Sequence, residues 1–137
     1  MDLDRTEFSL VADSSAIVSI ELREPGYLGL VDKLAESPAP CIGAPTLFEA
    51  SMVLQSRSGE DPRNAIFRIL KDADMAVVPF DEECYQIALA AFQRFGKGRH
   101  PASLNFGDCL AYAMAINENA PLLFVGDDFA KTDIQSA

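Results

Sequence analysis

The chain has 137 residues and a formal net charge of −10, and 49% of its residues are apolar or aromatic. This length and composition suit one globular domain with a real hydrophobic core, so we expect a single domain over residues 1–137. Residues 1–7 are acidic and lack an apolar signal core, and we expect them to form a flexible N-terminal extension. No run of about eighteen apolar residues is present, which argues against a membrane span.

Residues 8–12 form an apolar run that predicts a buried strand ending at Asp13. A short helix should follow, with Asp13 or Ser14 near its N-cap. Apolar residues at helical spacing predict a second helix over residues 27–34. Residues 41–43 are a short strand candidate, because they are apolar and follow a Pro-Ala-Pro segment that ends the helix.

Two further helices are predicted before the third strand. Pro45 suits the first turn of one of them, which carries Glu49 inside an otherwise apolar stripe and ends at Ser58-Gly59. Asp61-Pro62 opens the other, with aspartate as N-cap and proline at the first helical position. Residues 75–80 then form an apolar run that predicts a third strand.

The second half of the chain repeats this alternation. Asp81 opens a helix with a regular apolar stripe, which a basic, glycine-rich loop over residues 96–101 follows. Asn105 caps a helix over residues 106–117, and residues 122–125 form the last strong strand. A weak fifth strand is a candidate near residues 132–135.

The strands alternate with helices and are continuously apolar, which is typical of strands that are covered on both faces. The expected fold class is therefore α/β, a three-layer α/β/α sandwich around a mainly parallel sheet of 4–5 strands.

The three cysteines, Cys41, Cys84 and Cys109, are scattered and form no C-x-x-C pair, which argues against a zinc site or a disulfide framework. Each lies among apolar neighbours, so we interpret them as buried thiols of a protein in the reducing cytoplasm. The strongly negative charge argues against a simple nucleic-acid binder, because phosphate contacts usually need a basic surface. Bound cations or a basic partner would offset it.

Acidic residues fall where a parallel sheet forms its ligand site, beyond the carboxyl ends of the strands. Asp13 follows the first strand, Asp127 follows the last, and Asp108 lies in the first turn of the helix between them. Glu49 lies in a strongly apolar helix, where a lone buried charge would be costly. A hard cation such as Mg²⁺ or Mn²⁺ would relieve the repulsion between such carboxylates and support phosphodiester hydrolysis by activated water.

Each of these acids also has a simpler interpretation. Asp13 could cap the first helix, and Asp108 could pair with Asn105 in a capping box. Glu49 could point to solvent, and Asp127-Asp128 could form a turn. A catalytically silent acidic module that binds a metal or a basic partner is the alternative function.

Four segments are similar to one known family: V-A-D-S-S-A at 11–16, the helix with Glu49, L-N-F-G-D-C-L-A-Y-A at 104–113 and L-L-F-V-G-D-D-F at 122–129. In order and spacing they resemble VapC-type toxins of the PIN-domain family, from about Ser9 to near the C-terminus. The resemblance implies a PIN-like fold and a Mg²⁺- or Mn²⁺-dependent endoribonuclease. It also implies a VapB antitoxin as partner, and a homodimer.

The resemblance further implies roles for single residues. Asp13 and Asp108 match the principal metal ligands, and Glu49 matches the helical glutamate that completes the acidic cluster. The fourth acidic position, catalytic and metal-binding, corresponds to Asp127 or Asp128, and the sequence leaves both open.

Substrate and partner contacts are predicted from three further features. Ser14 matches a small polar residue beside the first aspartate of the family and is a candidate substrate contact. Lys97 and Arg99 lie in the basic loop just before Asp108 and are candidate contacts for RNA phosphates, although a solvated glycine-rich loop explains them slightly better. The apolar residues of 27–34, together with the helix over 62–73, are a candidate groove for an antitoxin helix.

Overall fold

The computed structural model describes residues 7–137, so residues 1–6 of the expected N-terminal extension lie outside the described residues. Strands and helices alternate along this part of the chain as the sequence predicts. A single turn of 3₁₀ helix over Phe129–Lys131 precedes the C-terminal segment. The order is β1 (Leu10–Ala12), α1 (Ser14–Glu21), α2 (Tyr27–Glu36), β2 (Pro40–Gly43), α3 (Ala44–Ser58), α4 (Arg63–Ala73), β3 (Ala76–Val78), α5 (Glu82–Phe95), α6 (Phe106–Glu118) and β4 (Leu122–Leu123).

The four strands form one sheet in the order β3-β2-β1-β4, and every neighbouring pair is parallel. The register pairs Leu10 with Pro40 and Val11 with Leu122. The prediction of a mainly parallel sheet is therefore confirmed. The weak strand near residues 132–135 is reduced to one bridge, between Leu122 and Ser136.

Side chains of the sheet alternate between two hydrophobic layers. Val11 and Cys41 point into a core formed with α5 and α6. Ala12 and Ile42 point to the other face, into a core formed with α1, α2, α3 and α4. Helices on both faces make the predicted three-layer α/β/α sandwich, and they explain why these strands are apolar throughout.

The third strand departs from the prediction. It spans three residues rather than 75–80, and Ala76 and Val77 are exposed. β3 lies at the edge of the sheet with a single neighbour, β2, so its backbone and side chains are only partly covered. An apolar run alone does not distinguish such an edge strand from a central one.

Side-chain hydrogen bonds cap the N-termini of α1, α5 and α6. Asp13 and Asp81 accept hydrogen bonds from the first turns of α1 and α5, and Asn105 and Asp108 form the predicted capping box of α6. One cap is shifted, because α4 begins at Arg63 with Pro62, not Asp61, at the N-cap.

Some of the apolar residues proposed to form an antitoxin groove belong to the core. Leu34 and Ile66 are buried, and Leu30, Ile69 and Leu70 pack against the same cluster. The helices α2 and α4 both contact α1, which explains why these apolar stripes face inwards. Val31 on α2 and Phe67 on α4 are exposed, so the groove for an antitoxin helix stays a prediction.

All three cysteines are free and buried, as predicted. Across residues 7–137, no helix is both long and apolar enough to cross a membrane.

Candidate active site

The strand order of the sheet reverses at β1, so we place the candidate ligand site at the carboxyl end of this strand. The chain passes from β1 to β2 and β3 on one side, and β4 then lies on the other side of β1. Ligand sites of open parallel sheets form at such a switch in strand order, because the two connections diverge there. Asp13 follows β1 directly at this point, and its side chain is 4% exposed.

A serine holds the Asp13 carboxylate. The Ser15 hydroxyl donates to Asp13 Oδ2 over 2.6 Å, and the Ser15 amide donates to the same oxygen over 3.2 Å. The Ser15 hydroxyl also accepts a hydrogen bond from the Val125 amide over 3.0 Å. Ser15 thus connects the end of β1 to the segment that leaves β4 and leads to the Asp127-Asp128 pair.

Sequence analysis did not single out Ser15 for this contact. Ser14, named as a candidate substrate contact, makes no side-chain hydrogen bond within the described chain, and its contact with substrate stays a prediction. The signal that could have found Ser15 is its spacing, because the side chain of an N-cap residue bonds to groups two or three residues further on.

Glu49 reaches the site because a glycine makes room for it. It lies in the second turn of α3, and its carboxylate packs against Gly107 in the first turn of α6. A β-carbon built on Gly107 would lie 2.6 Å from the Glu49 carboxyl carbon, closer than real side chains approach. Sequence analysis gave Gly107 no role, although a glycine inside a helix next to an acid was a usable signal.

Asp108 combines helix capping with an unusual electrostatic environment. Its Oδ2 accepts from the Asn105 amide over 3.1 Å, and its own amide donates to Asn105 Oδ1 over 2.9 Å. Burial, together with the charges of Asp13, Asp128 and Glu49, raises the pKa of Asp108 to about 6, although the Asn105 amide opposes this shift.

Asp13 experiences the same effects. Burial is the main cause that raises the pKa of Asp13, and the charge of Glu49 adds to it, while the hydrogen bonds from Ser15 oppose the shift. These mutual effects place Asp13, Glu49, Asp108 and Asp128 in one electrostatic neighbourhood. Asp13 and Asp108 can therefore each cap a helix and belong to the acidic cluster at the same time.

The two C-terminal acids differ in their influence on this neighbourhood. Asp127 and Asp128 are both exposed, but Asp128 is the one whose charge acts on Asp108. Asp128 is the N-cap residue of the 3₁₀ turn, and its side chain makes no capping hydrogen bond there.

The carboxylates of Asp13, Glu49, Asp108 and Asp128 converge, but they are not arranged as a complete set of metal ligands. Within residues 7–137, no three His, Cys, Asp or Glu side chains are grouped as the ligands of one metal ion are. Like charges that share a site repel one another, which favours such a spread arrangement. Burial and the neighbouring negative charges thus disfavour the ionised forms of Asp13 and Asp108.

The basic loop leads directly into this site. It begins and ends at a bridge between Gly96 and Leu104, and α6 starts just after it. Lys97 and Arg99 are exposed, and neither forms an ion pair with any other residue of the described range. The Arg99 guanidinium lies 5.4 Å from the centre of the Phe92 ring, a cation–π distance.

The other two basic residues of this region are engaged in structural contacts. Arg94 pairs with Asp133 over 3.2 Å. His100 Nδ1 accepts a hydrogen bond from the Ala102 amide over 3.0 Å, and the ring packs edge-on against Phe95. The single histidine of the chain is therefore part of the loop's own framework.

Comparison with known proteins identifies the family. Residues 10–135 match the family model of the PIN domain. The chain is 37% identical over 129 residues to ribonuclease VapC28 of Mycobacterium tuberculosis, an alignment that covers 93% of this chain and 97% of that relative.

Two solved structures share the fold. The VapC20 toxin of Mycobacterium tuberculosis, described as cleaving the sarcin–ricin loop, superposes with a TM-score of 0.76 at 15% identity, covering 94% of this chain and 98% of that one. A toxin–antitoxin complex from Klebsiella pneumoniae gives 0.68 at 17% identity, covering 91% and 93%. The chain therefore belongs to the PIN-domain family and, within it, to the VapC ribonucleases.

Proposed function

We propose that this protein is a metal-dependent endoribonuclease, the toxin of a type II toxin–antitoxin pair, that acts in the cytoplasm. The observation that carries the proposal is the convergence of carboxylates from four separate segments at the carboxyl edge of the sheet, two of them with raised pKa values. Membership of the VapC ribonucleases supports the same function.

The donor set fits a hard divalent cation. Asp13, Asp108, Glu49 and Asp128 supply only carboxylate oxygens, the ligands that Mg²⁺ and Mn²⁺ prefer. Burial and the neighbouring negative charges disfavour the ionised forms of Asp13 and Asp108, and a cation would reverse that effect. We assign the fourth position to Asp128 rather than Asp127, because its charge acts on Asp108.

The chain's own residues hold the reacting groups. A bound Mg²⁺ or Mn²⁺ would supply an activated water and stabilise the leaving oxygen of an RNA phosphodiester. Ser15 and Asn105 each fix one oxygen, Oδ2, of Asp13 and Asp108. No hydrogen bond within residues 7–137 uses the Oδ1 atom of either, so that atom remains available as a ligand or proton acceptor.

Lys97, Arg99 and Ser14 are proposed substrate contacts. The two cations are exposed and free of ion pairs within the described chain, so both are available to RNA phosphates. His100 is engaged in its loop, which leaves proton transfer to the carboxylates and water.

We also propose a VapB-type antitoxin as partner, and self-association as a homodimer. A net charge of −10 favours a partner that brings basic side chains to the acidic edge. A toxin–antitoxin complex among the structural neighbours supports this pairing.

The test is an RNA cleavage assay with the purified protein in Mg²⁺, in Mn²⁺ and in EDTA, beside Asp13→Asn and Asp108→Asn. We expect cleavage by the wild type with either metal, and losses on the order of 100-fold or more in EDTA and in both variants. Cleavage that persists in EDTA, or full activity of both variants, would refute the mechanism. Metal binding without cleavage of any RNA tested, including the RNA of the host cell, would favour the silent acidic module.

A further inference from the structure

Two acids of the proposed cation site lie on separate parts of the chain. Asp108 is in the first turn of α6, and Asp128 is in the segment between β4 and the C-terminus. The Asp128 side chain is exposed, and no side-chain hydrogen bond within residues 7–137 involves it. The position of Asp128 relative to Asp108 therefore depends on how its segment is attached to α6.

A tyrosine of α6 makes that attachment. Tyr112 lies four residues after Asp108, so the two side chains leave the same face of the helix. The Tyr112 hydroxyl donates a hydrogen bond to Asp133 Oδ1 over 2.7 Å. Asp133 lies five residues after Asp128, so this bond connects the segment of Asp128 to the helix of Asp108.

Tyr112 is a rigid anchor. Its side chain is buried, and its ring centre lies 5.9 Å from that of Phe95. Burial and the hydrogen bond with Asp133 raise the pKa of Tyr112, so the hydroxyl stays protonated at neutral pH and donates. A buried hydroxyl without a partner is costly, which favours keeping Asp133 in place.

Arg94 holds the other oxygen of Asp133. Its Nη1 atom donates to Asp133 Oδ2 over 3.2 Å, but the two side chains are 65% and 46% exposed. Ion pairs that water reaches contribute little. The main constraint on Asp133 is therefore the hydroxyl of Tyr112, and Arg94 adds a weaker one.

The turn between Asp128 and Asp133 can transmit this constraint. Phe129 is buried in the core with α5 and α6 and fixes the turn at one point. The Thr132 hydroxyl donates to the Phe129 carbonyl over 2.7 Å and accepts from the Ile134 amide over 3.1 Å. The bond between Tyr112 and Asp133 fixes the segment at a second point, which prevents it from rotating about Phe129.

We propose that Tyr112 and Asp133 are positioning residues of the cation site, which hold Asp128 close enough to Asp108 for both to bind one divalent cation. The proposal rests on the proposed function, since it concerns the same carboxylates. A bond that only stabilised the fold would lower the melting temperature when removed and leave the metal affinity of the folded protein unchanged.

The test is a Mn²⁺ titration of Tyr112→Phe, followed by electron paramagnetic resonance. This variant removes the hydroxyl and keeps the ring and the net charge. It should bind Mn²⁺ about tenfold more weakly than the wild type, the lower end of the range for residues that position metal ligands. Asp133→Ala is a second variant that removes the acceptor and should weaken binding at least as much. Thermal melting in EDTA should show that both are folded during the titration.

Tyr27→Phe is the matched control. Tyr27 lies at the start of α2, and its hydroxyl takes part in no side-chain hydrogen bond of the described residues, so this variant should bind Mn²⁺ as the wild type does. A second comparison uses an Asp128→Asn background. There Tyr112→Phe should weaken binding no further, because the effects of residues that act through one another do not add.

Three results would overturn the proposal. One is equal Mn²⁺ affinity of the wild type and Tyr112→Phe. Another is an equal loss from Tyr112→Phe with and without Asp128, since the hydroxyl would then act on other ligands. The third is loss of folding in both Tyr112→Phe and Asp133→Ala, which would show a role in stability alone. Failure of the proposed function is distinguishable, because the wild type itself would then bind no Mn²⁺, and both proposals would fall together.

Discussion

Gly107→Ala should separate activity from stability. In the structure an added β-carbon would lie 2.6 Å from the Glu49 carboxyl carbon, about 0.8 Å inside the 3.4 Å of an ordinary van der Waals contact. The clashing atoms are the far end of a flexible side chain, so the Glu49 carboxylate would move away while both helices stay in place. A displacement of about 1 Å in a catalytic group can cost on the order of 100-fold in rate.

The same substitution should not destabilise the fold. Gly107 lies in a helix and has no positive φ, and alanine in a helix is favoured over glycine by up to about 1 kcal/mol. We therefore expect RNA cleavage under single-turnover conditions to fall by about one to two orders of magnitude, with a melting temperature equal to or above that of the wild type.

Gly29→Ala is the matched control for this prediction. Gly29 lies in α2, and a β-carbon there would meet nothing within 4 Å, so the same chemical change should leave cleavage unaltered. If Gly107→Ala cleaved RNA as fast as Gly29→Ala, the position of the Glu49 carboxylate would not matter for catalysis. If it were inactive because it was unfolded, the flexibility assigned to Glu49 would be wrong.

Three further predictions concern the residues around Asp13 and Asp108. Ser15→Ala removes the hydroxyl that positions Asp13 and should weaken Mn²⁺ binding, measured by electron paramagnetic resonance, about tenfold; unchanged affinity would contradict the role of Ser15. Asn105→Ala removes the cap of α6 and should lower the free energy of unfolding in urea by about 1 kcal/mol, and a loss within error would argue against it. The pKa of Asp108 is raised from 3.8 to about 6, so the folded chain binds this proton more tightly than the unfolded chain, and the contribution of Asp108 to stability falls as pH rises through that window. In EDTA, Asp108→Asn should therefore melt above the wild type near neutral pH and lose this advantage at about pH 4; a variant that melts lower near neutral pH would contradict the raised pKa.

The architecture was predictable from local patterns because its central strands satisfy a simple rule. β1, β2 and β4 are buried on both faces, so their sequences are apolar throughout, and helical stripes separate them. β3 shows where this rule fails, because an edge strand with exposed residues can have the same apolar sequence. Its position in the sheet depends on pairing, which a single strand's sequence does not encode.

The acidic residues of the candidate site could be predicted from the sequence. The residues that position them were harder to predict. Asp13 and Asp108 were found because strand ends and helix starts have sequence signals. The supporting roles of Ser15 and Gly107 depend on distances to Val125 and Glu49, far away in sequence. An apolar groove lined by residues of α3, α5 and α6 was missed for the same reason, since it forms only when these helices come together.

The organisation as one domain over residues 1–137, the flexible extension and the homodimer stay predictions. The choice of Asp128 over Asp127 rests on electrostatics, and the two single variants to asparagine would distinguish them by cleavage rate.

The central claim is that the carboxylates at the sheet edge act together as a cation site. A Mn²⁺ titration followed by electron paramagnetic resonance tests this directly, with wild type, Asp13→Asn and a control, Asp72→Asn, which replaces an exposed acid on α4. We expect the wild type and the control to bind Mn²⁺ alike, and Asp13→Asn to bind it at least about tenfold more weakly. Equal binding by all three proteins would show that the converging carboxylates do not hold the metal, and would contradict the account.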